Sequence, residues 1–427
     1  MIKLPEHKHA TENKPIEKAP MPQSAYIPLS QHIGKTCVPL FKPGDYVCTG
    51  QKIAAVNAHV YSPTHASISG TVGSIQDWPH PVLGKCPAIR IDSDSNDKKC
   101  DVSVRKEEEI LKLSPQQIKD IVFESGIVGM GGAGFPTHIK LSPPREVNDL
   151  IINGAECEPY LTGDYRLMIE KPVEILKGVK VIARCLGIKN IYFAIEENKP
   201  AAIDIFRKQE EQWGFKVRVL ASQYPQGGEK QLAKNVLKKE VPQGKLPFEI
   251  GAVIHNVGTC FAVYEAVYLA KPLYERVVTV TGPCLSSPKN LLVRIGTPIK
   301  QLIDACGPFK EEPVKIVSGG PMMGVGQYTL DAPVIKSTTG IILFGKKDAP
   351  RTEEEFCIRC GACVRSCPVG LMPCFISLAS QRNNWEAASS YNVADCIECG
   401  VCAYVCPAKR NMVQHMKYAK FMLARQK

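Results

Sequence analysis

CIRCGACVRSCP at residues 357–368 and CIECGVCAYVCP at 396–407 share one spacing, Cys-x-x-Cys-x-x-Cys-x-x-x-Cys-Pro. This is the cysteine run of two-cluster bacterial ferredoxins, in which the fourth cysteine of each run serves the other cluster. Two-residue gaps let three thiolates of a tight loop cap three iron corners, and iron in sulfide-bridged centres wants soft thiolate ligands. The expected ligands of one [4Fe–4S] cluster are therefore Cys357, Cys360, Cys363 and Cys406, and of the other Cys396, Cys399, Cys402 and Cys367. Gly361 and Gly400 stand at the same place in each loop, where backbone approaches inorganic sulfide. A pair of zinc sites is the alternative, but zinc asks for four ligands in two pairs, not two matching runs each closed by proline. Cys374 has no matching partner and reads as a buried thiol, as do the scattered cysteines elsewhere.

Upstream of residue 350 the text changes character several times. Residues 1–25 are polar and rich in Pro and Lys, and are expected to be an extended tail. Short strands and frequent turn residues over 26–100 indicate a small β domain. From 101 to 271 helices and strands alternate in the rhythm of a parallel α/β sheet, with strands expected at Leu150–Ile152 and Ile191–Ile195 and a helix from Pro172. Residues 272–349 read as a small α+β unit and 350–427 as the cluster domain. The fold class is thus multidomain α/β and α+β.

The chain carries 18 cysteines, and its start has no apolar stretch of the kind that directs export, so a reducing compartment is expected. The most apolar window, residues 251–270, is broken by His255, Asn256 and Glu265, so no membrane-spanning helix is expected. A net charge of +11 suits an acidic partner or an anionic surface, or simply a mildly basic cytoplasmic protein, and without any nucleic-acid module no nucleic acid is expected. Met412, Met416, Ala419 and Leu423 recur at helical spacing in the basic C-terminal stretch. That helix either docks on partner subunits or lipid, or packs back on the cluster domain, which is the preferred expectation.

Clusters of this kind move electrons and need something to feed them. GIVGMGGAGFPTHIKL at 126–141 places Gly129, Gly131 and Gly134 in G-x-G-x-x-G spacing. A dinucleotide fingerprint should follow a strand and open a helix. Here the preceding residues 116–124 look helical and Phe135-Pro136 breaks any helix after the loop, so the plain fingerprint is weak. Gly129, Gly131, Gly132 and Gly134 nevertheless bare backbone N–H groups to a flat or phosphorylated ligand, with Lys140 adding positive charge. The strand at Leu150–Ile152 runs into Asn153-Gly154-Ala155-Glu156-Cys157-Glu158-Pro159. Ligands of α/β sheets bind beyond the carboxyl ends of strands, where Glu156 and Glu158 can hydrogen-bond ribose or nicotinamide. A solvated acidic loop is the plainer alternative.

GMGGAGFPTHIK, NGAECEP with Asp164, Tyr224 with Gly228-Glu229, and HNVGT at 255–259 resemble, in order and spacing, the FMN and NADH motifs of the flavin subunit of respiratory complex I. The resemblance implies FMN on the glycine loop, Phe135 included, with Lys140, Asn153, Asp164, Gly228 and Asn256 around it. It implies NADH near Tyr224 and the working carboxylates Glu156, Glu158 and Glu229. This chain departs from that pattern at His255, where the family has asparagine, and at Gly258, where it has glutamate. Over its full length the chain resembles the RnfC family of the Rnf ion-translocating ferredoxin:NAD oxidoreductases. LPEHK, IPLSQHIG at 27–34, PGDYVCTGQKI at 43–53, SPTHASISGTV at 62–72, GDYRLM, SGGPMMG at 318–324 and both cysteine runs carry that likeness.

This likeness implies a lipoyl-like barrel–sandwich domain at 26–100, a Rossmann-like FMN/NADH domain, an SLBB β-grasp domain at 272–349 and a helical two-cluster domain. The tip that bears a modified lysine in lipoyl domains reads Pro63-Thr64-His65-Ala66, so no swinging arm is expected. Some members carry a long Ala/Lys-rich extension after the clusters, which is not expected here. The implied cofactors are two [4Fe–4S] clusters and FMN, with NAD(H) as substrate. The implied activity is that of a ferredoxin:NAD+ oxidoreductase subunit coupled to Na+ or H+ translocation by partner Rnf subunits. Its implied place is the cytoplasmic face of a bacterial membrane. The alternatives are a cobalamin reductase-like flavin/Fe–S protein, whose barrel–sandwich domain would follow the clusters, and a non-catalytic electron carrier or scaffold.

Overall fold

The computed structural model describes every residue except 102, 350–352 and 427. Two antiparallel sheets form the first domain. One orders strands Ser24–Pro28, Gly84–Ser93, Gly70–His80 and Tyr46–Val47, and the other Val38–Pro39, Lys52–Ala55 and Thr64–His65. Period-two alternation turns Ile27, Ile53, Val72, Ile89 and Ile91 into the space between them, where they are fully buried. This is the barrel–sandwich layout.

The second domain holds a four-stranded parallel sheet in the order Lys216–Leu220, Asn190–Glu196, Asp149–Gly154, Ala252–Asn256. The chain moves outward from Asp149–Gly154 in one direction and then returns to add Ala252–Asn256 on its other side. The order therefore reverses between these two strands, the place where α/β sheets take ligands beyond the carboxyl ends. Helices Pro115–Glu124, Pro172–Leu186 and Val257–Leu269 cover one face. Glu229–Leu237 covers the other through Leu232, Ala233 and Val236. Pro172 opens its helix and Gly187, at φ +69°, ends it. The glycine loop follows the helix Pro115–Glu124 and precedes the first strand of this sheet, so it is not the strand-to-helix turn of a dinucleotide fingerprint.

Strands Glu275–Thr281, Lys289–Arg294, Lys315–Ser318, Val325–Gly326 and Gly340–Phe344, with helix Ile299–Asp304, form the SLBB unit. Its edge is closed by the N-terminal strand Ile16–Lys18, paired in parallel with Lys289–Arg294. Residues 1–25 are extended but docked. Ile2 pairs with Tyr224, and Lys8 is buried with its ammonium on the carbonyls of Glu156, Glu158 and Leu161 at 2.8, 2.9 and 2.5 Å. The polar text that reads as an extended tail does not show this docking, because the acceptors for Lys8 lie some 150 residues away in sequence.

The last domain is helical. Its C-terminal helix Met412–Arg425 packs Met412, Met416 and Ala419 into the core with Ile376 and Ala388. Lys420 reaches Cys396 O at 2.5 Å and Glu398 at 2.7 Å, so the basic helix braces the second cysteine loop.

Candidate redox site

The two cysteine runs trace one backbone. Arg359 and Glu398 stand at φ +57° and +56°, Gly361 and Gly400 at +71° and +80°, and Gly370 and Lys409 at +70° and +50°. Left-handed conformations at three non-glycine residues cost about 1 kcal/mol or more each and persist only where the surroundings fix them. Backbone N–H groups point at sulfur, from Leu371 to Cys367 at 3.3 Å and from Glu398 to Cys396 at 3.4 Å. Cys367, Cys396, Cys399 and Cys402 lie within electrostatic reach of one another. Burial, then the neighbouring sulfurs, push Cys399 up to about 11 and Cys402 up to about 12. Thiols so disposed ionise only when a metal supplies the opposing charge, which fits an iron–sulfur cluster. In the other set Cys363 and Cys406 are buried in a common core, Cys357 is half-buried and Cys360 exposed. Cys374 lies beside Cys363, which burial and that neighbour push up to about 11.

The glycine loop turns tightly, with Gly129 N donating to Phe135 O at 2.8 Å and Gly134 N to Gly129 O at 3.2 Å. Its tip, 131–133, is exposed. Gly132 sits at φ +118°, and a β-carbon added there would meet nothing within 4 Å, so the loop leaves room above it for a flat ring system. A β-carbon at Gly131 would stand 3.4 Å from the Asn256 β-carbon, placing that asparagine against the loop. Asn256 caps the helix Val257–Leu269, accepting from Gly258 N at 2.8 Å, and donates to Asp164 at 2.6 Å. Asn153, on the neighbouring strand, donates to Gly227 O and accepts from Ala155 N, both at 3.0 Å. Lys140 pairs with Glu229, at the start of the helix behind Gly228, and donates to Ile254 O at 3.0 Å. These residues surround the crevice where the strand order reverses, and they fit a flavin mononucleotide.

Gly258 is constrained. A β-carbon there would lie 3.0 Å from Asn256 Oδ1 and 3.5 Å from Asp164 Oδ1, so the position is closely packed. His255 is buried with Nε2 unpaired, and burial with nearby Lys140 lowers it to about 3. Glu156 accepts from Asp164 N at 2.9 Å and Tyr165 N at 3.3 Å. Burial raises both the Glu156 and Asp164 carboxyls, and their mutual repulsion adds to the rise at Glu156; Lys8 and Lys199 oppose it at both, with the Asn256 hydrogen bond and Arg276 also acting on Asp164.

Glu158 and Tyr224 are held by protein partners, and Tyr224 lines one cavity with Glu156, Cys157 and Lys8. Tyr224 is 1% exposed, packed with Cys399, Val401, Met322 and Cys157. Glu158 accepts from Met322 N at 3.0 Å and Met323 N at 2.9 Å in the SGGPMMG loop. The residues that sequence reasoning passed over are Lys8, Arg276 and Lys336. Arg276 and Lys336 are cations in stretches otherwise buried, which is the one signal that was present, whereas Lys8 stands among exposed polar residues and gave none.

Comparison with known proteins agrees with this layout. Family models match an RnfC barrel sandwich hybrid domain at 2–96, a Nuo51 FMN-binding domain at 122–265, an SLBB domain at 277–326 and a 4Fe-4S dicluster domain at 349–407. The chain is 48% identical to a subunit of the proton-translocating ferredoxin:NAD(+) oxidoreductase complex of Clostridium ljungdahlii, over 97% of this chain and 91% of that protein. It is 41% identical to the corresponding subunit of the Na(+)-translocating complex of Acetobacterium woodii, over 98% and 95%. Against the corresponding subunit of the ion-translocating oxidoreductase complex of Rhodobacter capsulatus the identity is 42%, over 98% and 81%. Among solved structures, a chain of an NAD+-reducing [NiFe]-hydrogenase in the H2-reduced state shares the fold at TM-score 0.51 and 17% identity, over 73% of this chain and 63% of that one.

Fold and site together define a flavin- and iron–sulfur-dependent electron-transfer protein. Within that class the chain belongs to the RnfC family, whose members are subunits of ion-translocating ferredoxin:NAD(+) oxidoreductase complexes.

Proposed function

We propose that this chain is the peripheral NAD(H)-facing subunit of a membrane-bound Rnf complex, working with the other Rnf subunits, which couple the electron flow to Na+ or H+ movement. Among the described residues no helix is long and apolar enough to cross a membrane. We assign its membrane contact to partner subunits and place it on the cytoplasmic face, where NAD(H) and reduced ferredoxin are found. When bound, FMN exchanges a hydride with NAD(H) and the clusters carry electrons singly, which is why a pyridine nucleotide and iron–sulfur centres need a flavin between them.

The protein groups hold and insulate. The glycine loop offers N–H groups to the phosphate and ring of FMN. Asn153 and Asn256 present amides across the crevice, and Lys140, kept in place by Glu229, sets positive charge where an anionic reduced ring would lie. Glu156 and Asp164 form a buried acidic pair beside it that favours holding a proton. Tyr224, Glu158 and Met322 fill the space between crevice and second cysteine loop and exclude water from it.

The observation that carries this reading is the small core shared by Tyr224, Cys399 and Val401, with Cys157 packed against it, which puts one set of candidate cluster ligands on the nucleotide domain. The barrel–sandwich match ahead of the flavin domain favours RnfC over a cobalamin reductase. The test is anaerobic. Purified protein should contain about eight iron, about eight sulfide and about one FMN, and should bleach on addition of NADH. Clusters without flavin and without a response to NADH would leave a plain electron carrier.

A further inference from the structure

The glycine loop is held from outside its own domain. Ile33 of the barrel–sandwich domain donates its N–H to Gly134 O at 3.1 Å. Arg276, on the first SLBB strand, is buried and reaches Met130 O at 3.4 Å through Nη2 and Lys336 O at 2.5 Å through Nη1. Lys336 is 1% exposed. Its ammonium donates to Pro63 O at 2.6 Å and to Gly126 O at 2.7 Å, and its N–H to Gln31 Oε1 at 3.1 Å.

Pro63 lies at the hairpin tip where a lipoyl domain would display its modified lysine. Here Ser62, Thr64 and His65 of that tip are buried. The fit against the flavin domain leaves no slack. A β-carbon on Gly126, itself at φ +68°, would come within 2.4 Å of Pro63 O and 2.8 Å of Lys336 Nζ.

A buried ammonium is costly unless hydrogen bonds hold it. A methionine would fill the same volume without that cost. What the ammonium adds is direction, since it aims two carbonyls from two domains at one point, and the second belongs to the residue that leads into the flavin loop.

We infer that Lys336 is a positioning residue for the flavin loop, tying the barrel–sandwich hairpin tip to Gly126 and making that domain a structural part of the flavin site. The inference rests on the reading that FMN occupies the glycine loop.

The experiment titrates FMN into flavin-depleted full-length protein under anaerobic conditions, following flavin fluorescence. Lys336→Met should weaken FMN binding by about tenfold or more, the size expected for losing charge-assisted hydrogen bonds. Cluster absorbance should persist, and the KM for NADH at saturating FMN should stay as in the parent. Leu302→Val, in the SLBB core, serves as a control for general destabilisation and should leave FMN affinity unchanged. Wild-type FMN affinity in Lys336→Met, or equal weakening in both variants, overturns the inference. If Lys336→Met does not fold, Lys336→Gln, which keeps a polar end but loses the reach to both carbonyls, carries the test with an expected weakening of about threefold, and unchanged affinity there overturns it. Gly132→Trp separates the two levels: flavin retained in that variant refutes the pocket itself, whereas flavin lost there but unaffected in Lys336→Met refutes only the role of Lys336.

Discussion

The hydroxyl of Tyr224 donates to the Glu158 carboxylate at 3.3 Å, and the ring of the same tyrosine packs on Cys399. One residue thus touches both the acidic loop beyond the central strand and a candidate ligand of the second cluster. Glu158 in turn gathers the N–H groups of Met322 and Met323. Three domains meet at this point.

Breaking this junction should separate the two halves of the redox chain. In Glu158→Ala, the Met322 and Met323 N–H groups lose a carboxylate, at a cost of about 2–4 kcal/mol. Rapid mixing with NADH should show flavin bleaching at near the parental rate and cluster reduction slowed several-fold. Unchanged cluster reduction would show that the junction does not govern transfer.

The two cysteine sets should behave unequally. Cys399→Ser and Cys360→Ser should each lower the iron content from about eight to about four. NADH should still reduce the remaining cluster in Cys360→Ser but not in Cys399→Ser, because the second loop packs with Tyr224 of the nucleotide domain. Equal NADH reduction in the two variants would contradict this arrangement.

Gly132→Trp should abolish flavin binding while leaving cluster absorbance intact. The position has φ +118° and open space above it, so a side chain there is both strained and lodged where the ring belongs. Flavin content by acid extraction decides the matter.

Stability should fall in acid. Burial keeps His65 and His255 neutral in the fold down to about 3, whereas an unfolded histidine takes up a proton near 6.5. The unfolded chain therefore binds more protons between these values. Stability is intact above 6.5 and declines toward 3 by about 1.4 kcal/mol per pH unit for each histidine. Urea midpoints at pH 7 and pH 5 should diverge in the parent, and less so in the double variant His65→Gln, His255→Asn. An identical pH slope in both proteins would exclude these two groups as its cause.

Much of this was legible in the sequence because it is local. The cysteine spacing points to both sets of ligands, and the helical residues before Gly129 already argue against a dinucleotide turn. The burial of Tyr224 and Glu158 was not legible, since it depends on Met322 and Cys399, far away along the chain. Nor was the docking of residues 1–25, whose polar text hides a buried Lys8 that only distant carbonyls can satisfy. Arg276 and Lys336 were visible as charges within apolar runs, but nothing local indicates that both reach the flavin loop.

The strand Ile16–Lys18 has its partner at Lys289–Arg294, and Ile2 has its partner at Tyr224. On the ribosome, Ile2 and Ile16–Lys18 are made long before Tyr224 and Lys289–Arg294, so they wait until those partners exist. Such distant pairing is slow to form. The segment that carries Ile2 and Ile16–Lys18 is thus fastened late, once the strands that receive it have formed.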